Sequence, residues 1–159
     1  MQDHSLESRV ARATLGQLIA GVRSRIVQVS QAHVTEHKLT AQQFWALVVL
    51  HEHGSLCLRE LAEEIWCDEP TASRMVKALV REGWMQAGPD PCHGRRLALR
   101  IAPGAVAKVQ DLHDKALGLR MGLKAGLSAG DEAALRSLLA RLLCNLDVME
   151  AAASEPGKP

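Results

Sequence analysis

The chain has 159 residues, the usual size of one compact domain, and its 19 basic and 18 acidic residues leave a formal net charge of +1. A hydrophobic share of 47% argues against a disordered chain, and 3% aromatic residues with abundant Ala and Leu favour helices over a β-sandwich. No apolar run reaches the ~18 residues of a membrane span, no signal peptide is recognisable, and the four cysteines match no metal or disulfide spacing, so we expect reduced thiols in a cytoplasm.

The first predicted element is one long helix over residues 9–38. Apolar side chains recur there at steps of three and four, and no Pro interrupts them. The stripe consists of Leu15, Leu18, Ile19, Val22, Ile26, Val29 and His33. Because a helix of ~30 residues is too long for one small domain to cover, the stripe is expected to contact a second chain.

A second helix is predicted to begin at Thr40, with Gln43 as the partner in a capping box and Gly54 at its end. A short helix over 58–65 follows, and the chain then breaks at 66–67.

The next helix is predicted to run from Asp68, its N-cap, to about Glu82, with Pro70 tolerated in the first turn. Its predicted inward face consists of Ala72, Met75, Val76, Leu79 and Val80.

Residues 88–94 form a turn cluster rich in Gly and Pro and are predicted to join the two strands of a β-hairpin. The second strand alternates, with Leu97, Leu99 and Ile101 on one face.

Two helices are predicted after the hairpin, over residues 105–124 and from Ser128 onward, and residues 151–159 are expected to fray. The inward residues of the last helix are predicted to be Leu135, Leu138, Leu139, Leu142, Leu143 and Leu146.

The order helix, break, helix, hairpin is typical of a winged helix-turn-helix, in which the second helix fits the major groove of DNA and a cationic hairpin contacts the neighbouring backbone. Residues 74–100 carry six basic and two acidic side chains, whereas residues 60–69 carry five acidic side chains and no basic one. Charge is therefore segregated along a nearly neutral chain, as phosphate binding requires.

Four polar residues of the helix predicted from Asp68 to Glu82 are expected to face away from its apolar side: Thr71, Ser73, Arg74 and Lys77. Thr71 and Ser73 can bond phosphates or base edges, and Arg74 can bind guanine through two N–H groups, while Lys77 is expected at a phosphate. A solvated helix face is the alternative, which the basic hairpin directly after it disfavours.

The segments LTAQQF (39–44), LAEEI (61–65), DEPTASRMVKALVREGWM (68–85) and DPCHGRR (90–96) resemble the MarR family of winged-helix regulators. The resemblance covers roughly residues 10–148 and rests on the order and spacing of these segments. At Trp66 the chain departs from the family, where Gly is common in this turn.

The resemblance implies a mainly α fold with a small β-wing and a single domain over 1–159, with a winged helix-turn-helix at 39–103 and dimerisation helices at 9–38 and 105–148. It implies a homodimer that binds double-stranded DNA at a pseudo-palindromic operator, usually as a repressor. The DNA-binding residues it implies are Pro70, Thr71, Ser73, Arg74, Lys77, Arg95 and Arg96.

Such regulators are often released from DNA by a small aromatic acid, which needs a flat apolar wall and one cation or donor. The pocket implied by the resemblance lies where the dimer helices meet the DNA-binding lobe. The candidates there are Arg23, His33, Trp45, His51 and His113.

Two other signals stay open as alternatives. His33 and His37 are four residues apart and would share a helix face as ligands of Zn²⁺, with His51, His53 or His113 completing the site. Cys92, at the hairpin tip near Arg95, is the best candidate for a redox-active thiol, whereas the other three cysteines are expected to be buried.

Two further protein classes compete with a DNA-binding regulator. An enzyme is disfavoured because no metalloprotease, nucleophile-elbow, P-loop or dinucleotide motif is present, and neither a cofactor nor a resident metal is expected. A helical dimer that does not bind DNA would not need the basic hairpin.

Overall fold

The computed structural model describes residues 6–89 and 97–154. Seven helices and two strands follow one another in the described chain: α1 (Leu6–Arg12), α2 (Leu15–Val34), α3 (Ala41–His53), α4 (Leu58–Glu64), α5 (Glu69–Arg81), β1 (Met85–Pro89), β2 (Leu97–Ile101), α6 (Val106–Lys124) and α7 (Ala129–Ser154). Short 3-10 turns lie at Thr35–His37 and Pro103–Ala105. A mainly helical fold with a small β-wing is confirmed.

The described chain forms two compact units, one ending at Leu119 and the other beginning at Arg120. Within the described ranges, none of the helices combines the length and apolar content that a bilayer span requires.

The single helix expected over 9–38 is wrong. The chain breaks at residues 13–14, where Thr14 caps α2: its hydroxyl accepts from the Gln17 N–H, and the Gln17 amide oxygen accepts from the Thr14 N–H. At the other end α2 stops at Val34, and Lys38 adopts a left-handed φ of 56° after the 3-10 turn. The break at Thr14 depends on a local polar cap rather than on apolar periodicity.

The core of the first unit lies around α3. Phe44, Leu47 and Leu50 are fully buried, together with Leu61 of α4 and Leu79 of α5. The predicted capping box of α3 is confirmed, since the Thr40 hydroxyl accepts from the Gln43 N–H and the Gln43 amide oxygen accepts in return. Gly54 ends the helix with a positive φ of 74°, as predicted.

A side chain of α2 holds the start of α3. The amide of Gln31 donates to the carbonyl of Leu39 and accepts from the N–H of Ala41, both at 2.9 Å. One residue earlier, Ser30 is 1% exposed and its hydroxyl accepts from the indole N–H of Trp45 at 3.1 Å. These contacts fix α2 against α3.

The wing is an antiparallel pair in which Met85 lies opposite Ile101 and Pro89 opposite Leu97. The first strand extends further into the predicted turn cluster than expected, because Gly88 and Pro89 are still paired. Leu97, predicted on one face with Leu99 and Ile101, is 66% exposed, since it lies at the far end of the hairpin, beyond the core.

The base of the wing is joined to the segment that precedes α4. The backbone N–H of Leu99 donates to the carbonyl of Leu56 at 2.7 Å, and the reverse bond is 3.3 Å. The orientation of the wing is therefore fixed relative to the helix-turn-helix.

Helix α7 begins as predicted. The Ser128 hydroxyl accepts from the Asp131 N–H, and the Asp131 carboxylate accepts from the Ser128 N–H. The prediction that its leucines lie inside is wrong for the single chain, because they are exposed or half-buried. The helix also continues to Ser154, into the segment expected to fray.

Many apolar side chains of α2, α6 and α7 are exposed in the single chain. They include Leu15, Ile19, Val22 and Val29 of α2, Leu117, Met121 and Leu123 of α6, and Leu135, Leu138, Leu146 and Met149 of α7. Exposed apolar residues in this number are unusual for a chain that stands alone.

Candidate nucleic-acid interface

Helix α5 carries a line of exposed side chains along one face. Pro70, Arg74, Lys77 and Arg81 are separated by four, three and four residues, and all four are exposed. The opposite face is buried: Ala72, Met75, Val76 and Leu79 contact the core. The predicted inward position of Val80 is wrong, since this residue lies at the edge of the buried face and is 39% exposed. Three cations therefore project from the helix in a single row.

Thr71 and Ser73 flank this row and are half-buried, so they lie at the margins of the exposed face rather than on it. The structure thus brings Pro70, Arg74 and Lys77 together as predicted and adds Arg81, which sequence reasoning left out. The spacing from Lys77 to Arg81 would have identified it.

The start of α5 is held by Asp68. Its Oδ1 accepts from the backbone N–H of Thr71 at 2.7 Å, which confirms the predicted N-cap. This backbone bond, the Thr71 hydroxyl and the charge of Arg74 together hold the pKa of the Asp68 carboxyl below its usual range.

Arg74 is held by its own helix. Its Nη2 donates to Thr71 Oγ1 at 3.0 Å, and Thr71 Oγ1 donates to Asp68 Oδ2 at 3.0 Å. A series of three side chains therefore leads from the cap of α5 to the guanidinium.

The turn between α4 and α5 contains Trp66 in a left-handed conformation, with φ 55° and an exposed fraction of 77%. A left-handed backbone conformation favours glycine, which has no Cβ. This chain has tryptophan, the largest side chain, at that position.

Arg95 and Arg96 of the predicted wing tip, and Cys92 of the redox alternative, lie outside the described residues. The predicted burial of the other three cysteines is wrong: Cys57 and Cys67 are half-buried and Cys144 is exposed. Cys57 is the N-cap of α4, where its Sγ accepts a hydrogen bond from the Glu60 N–H. Burial and the neighbouring Asp68 raise the pKa of the Cys67 thiol.

Two of the effector candidates, His51 and His113, contact each other. The rings of His51 (α3) and His113 (α6) lie 5.1 Å apart, and Nε2 of His113 is 3.3 Å from the carboxylate of Glu52. Trp45 lies nearer the start of α3, and its indole N–H donates to the Ser30 hydroxyl. Glu52 and Ser30 were missed, although Ser30 lies on the same four-residue spacing as Ile26 and Val34.

Arg23 and His33, the other two candidates, are exposed on α2. Neither forms a hydrogen bond or an ion pair with any residue in the described part of the chain.

The alternative in which His33 and His37 share a helix face is wrong, because α2 ends at Val34 between them. In the described ranges, the group with metal-ligand geometry is Glu36, His37 and Asp111. The ammonium of Lys115 already lies 2.6 Å from Glu36 and 3.0 Å from Asp111, and a metal ion would have to displace it.

A model of the MarR family matches residues 39–96, a range that contains α3, α4, α5 and β1 and ends before β2 begins. The multiple antibiotic resistance protein MarR of Salmonella typhimurium strain LT2 is 26% identical over 101 residues, covering 64% of this chain and 70% of that protein.

Two solved structures have a similar fold. The crystal structure of a mutant MarR from E. coli, complexed with operator DNA, has a TM-score of 0.67 at 26% identity and covers 81% of this chain and 93% of that one. The structure of Bordetella bronchiseptica BpsR, whose DNA binding is regulated by 6-hydroxynicotinic acid, has a TM-score of 0.66 at 23% identity and covers 81% and 92%.

Proposed function

The chain belongs to the MarR family of DNA-binding transcriptional regulators, and on that premise we propose that it is a repressor that binds a pseudo-palindromic operator as a homodimer. The observation that carries this proposal is the exposed row of Arg74, Lys77 and Arg81 on α5. A helix with such a row fits the major groove, and its cations neutralise phosphates along the groove edge.

Arg74 and Lys77 have different roles in this proposal. Arg74 lies nearer the N-terminus of α5, the end that enters the groove, and presents two parallel N–H groups to O6 and N7 of guanine. Lys77 lies one turn later and binds a phosphate. Pro70 and Ser73 lie beside Arg74 at the groove, and Arg95 and Arg96 of the wing contact the neighbouring backbone.

The experiment uses a duplex selected from a randomised library by the wild-type protein, together with a random duplex of equal length. Lys77→Ala should weaken binding to both duplexes and lower the slope of log K against log salt by about 1.8, since a dimer has two copies and each phosphate contact contributes ~0.9. Arg74→Ala should weaken the selected duplex more than the random one.

Lys124→Ala is the matched control, because Lys124 lies in the second unit and is ion-paired with Glu132 at 2.9 Å. It should change neither affinity nor slope. Equal losses on both duplexes for Arg74→Ala would exclude base reading, and a wild-type protein that binds no duplex at low salt would refute the proposal.

The homodimer is supported by the exposed apolar residues of α2, α6 and α7. A second copy would cover them and place the two reading helices about one DNA turn, ~34 Å, apart. Leu146→Glu puts a charge on this surface and should give monomers in analytical ultracentrifugation, whereas Asn145→Glu on the same exposed helix should leave dimers. A dimer that survives Leu146→Glu would place the interface elsewhere.

The effector is proposed to be a small aromatic carboxylate that binds among Arg23, His33, Trp45, His51 and His113. The indole of Trp45 and the two imidazoles supply flat surfaces, and Arg23 supplies a cation. The regulation of BpsR by 6-hydroxynicotinic acid makes that compound the first probe.

Binding of 6-hydroxynicotinate or benzoate should raise the midpoint of thermal unfolding and release the selected duplex, because the acid favours a dimer with wrongly spaced reading helices. Acetate is the non-aromatic control. Arg23→Gln should weaken the effect of the acids without changing DNA affinity, and an unchanged response would remove Arg23 from the site.

A further inference from the structure

We propose that Asp68 and Thr71 are positioning residues for Arg74, and that Thr71 does not donate a hydrogen bond to DNA. This inference deepens the proposed function and rests on it, because it names how the base-reading side chain of α5 is held before DNA arrives. It also replaces the expectation that the Thr71 hydroxyl bonds a phosphate or a base.

The direction of each hydrogen bond follows from the chemistry of the three groups. A guanidinium has only donors, so Thr71 Oγ1 must accept from Arg74 Nη2 across the 3.0 Å between them. The hydroxyl then has one proton left, and Asp68 Oδ2 lies 3.0 Å away as its acceptor. Asp68 is ionised at neutral pH, since its pKa is lowered, and so it can only accept.

The two carboxylate oxygens of Asp68 have separate tasks. Oδ1 caps the helix by accepting from the Thr71 backbone N–H, and Oδ2 accepts the hydroxyl proton. Changes that spare the first bond and remove the second can therefore separate the positioning role from a purely structural one.

Arg74 remains able to read a base while it is held. Its Nη2 carries two hydrogens, and each belongs to one of the two donor edges of the guanidinium that lie clear of its own side chain. When one of these hydrogens bonds Thr71, the other edge keeps its two parallel N–H groups. That edge matches O6 and N7 of guanine, so the interaction with Thr71 fixes the side chain without using up its reading edge.

The consequence for binding is preorganisation. An exposed arginine loses rotamer freedom when it binds, and an arginine already held loses less. The interaction should therefore increase affinity for a duplex with guanine at the right position and should not affect a duplex without it.

The test uses Thr71→Val, which keeps the shape and the backbone cap but has no hydroxyl, with Thr71→Ser as the matched control that retains it. The probes are the duplex selected by the wild-type protein and the same duplex with the guanine read by Arg74 changed to adenine. Thr71→Val should lower discrimination between them by about tenfold for the dimer, while random-duplex binding stays unchanged. Thr71→Ser should keep the wild-type ratio.

Asp68→Asn is a second, independent variant. Asparagine is an equally good N-cap, but with its oxygen on the Thr71 N–H its amide N–H₂ faces the hydroxyl, which then has no acceptor. It should reduce discrimination by less than Thr71→Val does, because the hydroxyl keeps a lone pair for Arg74, and the thermal midpoint should stay unchanged. In the Arg74→Ala background, Thr71→Val should have no further effect on discrimination, since the two residues act through one contact.

Wild-type discrimination in Thr71→Val, or a further loss in the Arg74→Ala background, would overturn the positioning role while leaving the proposed function intact. A wild-type protein that binds no duplex would overturn both.

Discussion

Trp66 provides a test of backbone strain in the turn between the two helices that form the helix-turn-helix. Its φ is 55° and its side chain is 77% exposed. We compare Trp66→Ala with Trp66→Gly. Both variants delete the indole and lose the same small buried part of it, so the difference between them reports the backbone alone.

The magnitude follows from two opposing terms. A left-handed conformation costs a residue with a Cβ about 1–2 kcal/mol, and glycine avoids this cost. Glycine in turn loses about 0.5–1 kcal/mol more conformational entropy on folding than alanine does. Trp66→Gly should therefore be more stable than Trp66→Ala by roughly 0.5–1 kcal/mol, or about 1–4 °C in thermal midpoint for a chain of this size.

The assay is thermal and urea unfolding at one fixed protein concentration, because a dimer unfolds at a concentration-dependent midpoint. Ala107→Gly, at an exposed position of α6, is the control for an ordinary helical site and should lower stability by about 0.5–1 kcal/mol. The preference for glycine over alanine should thus reverse between the two positions. A Trp66→Ala variant as stable as Trp66→Gly would show that the turn relaxes and that residue 66 is not strained.

Three further predictions follow, two on the free energy of unfolding and one on the pKa of a carboxyl group. Gly54→Ala should cost about 1 kcal/mol of unfolding free energy, because φ is 74° at the end of α3 and nothing within 4 Å of the added Cβ compensates. Thr40→Ala should cost about 1 kcal/mol by removing the cap of α3, and Thr40→Ser should restore most of it. Lys115→Met should raise the pKa of Glu36 in an NMR titration, since hydrogen bonding to Lys115 and its charge lower that pKa. Glu36 therefore stabilises the wild type above its unfolded value of 4.5 and stops doing so as the pH falls through the lower folded value, whereas an unshifted Glu36 resonance in Lys115→Met would disprove the coupling.

The elements with local signals could be predicted from the sequence. Thr40 with Gln43, Gly54, Asp68 and Ser128 all begin or end helices as expected, because a cap depends on residues three or four positions apart. The break at Thr14 has the same kind of signal in Gln17 but lies inside a long apolar period, which favoured an uninterrupted helix.

Burial could be predicted less well than periodicity. The leucines of α7 recur at helical spacing and are exposed in the single chain, because spacing identifies a shared face and not what covers it. Leu97 has the right alternation and is still exposed, since it lies beyond the part of the hairpin that reaches the core. These errors concern distance from the core, which no short sequence pattern contains.

In the candidate site, the exposed row of cations on α5 could be predicted because its residues follow helical spacing from Pro70. The link from Asp68 through Thr71 to Arg74 could not, since it depends on which rotamers the three side chains adopt. The contact of His113 with Glu52 likewise joins two helices far apart in the chain.

The amide of Gln31 has a consequence for how movement passes through the protein. It binds the carbonyl of Leu39 and the N–H of Ala41, so residues 31–41 form a loop closed by a single side chain. A slide or rotation of α2 must then carry the first turn of α3 with it or break both bonds together. The six residues between the two helices consequently cannot act as a flexible linker. A displacement of α2 is therefore transmitted directly to the first turn of α3.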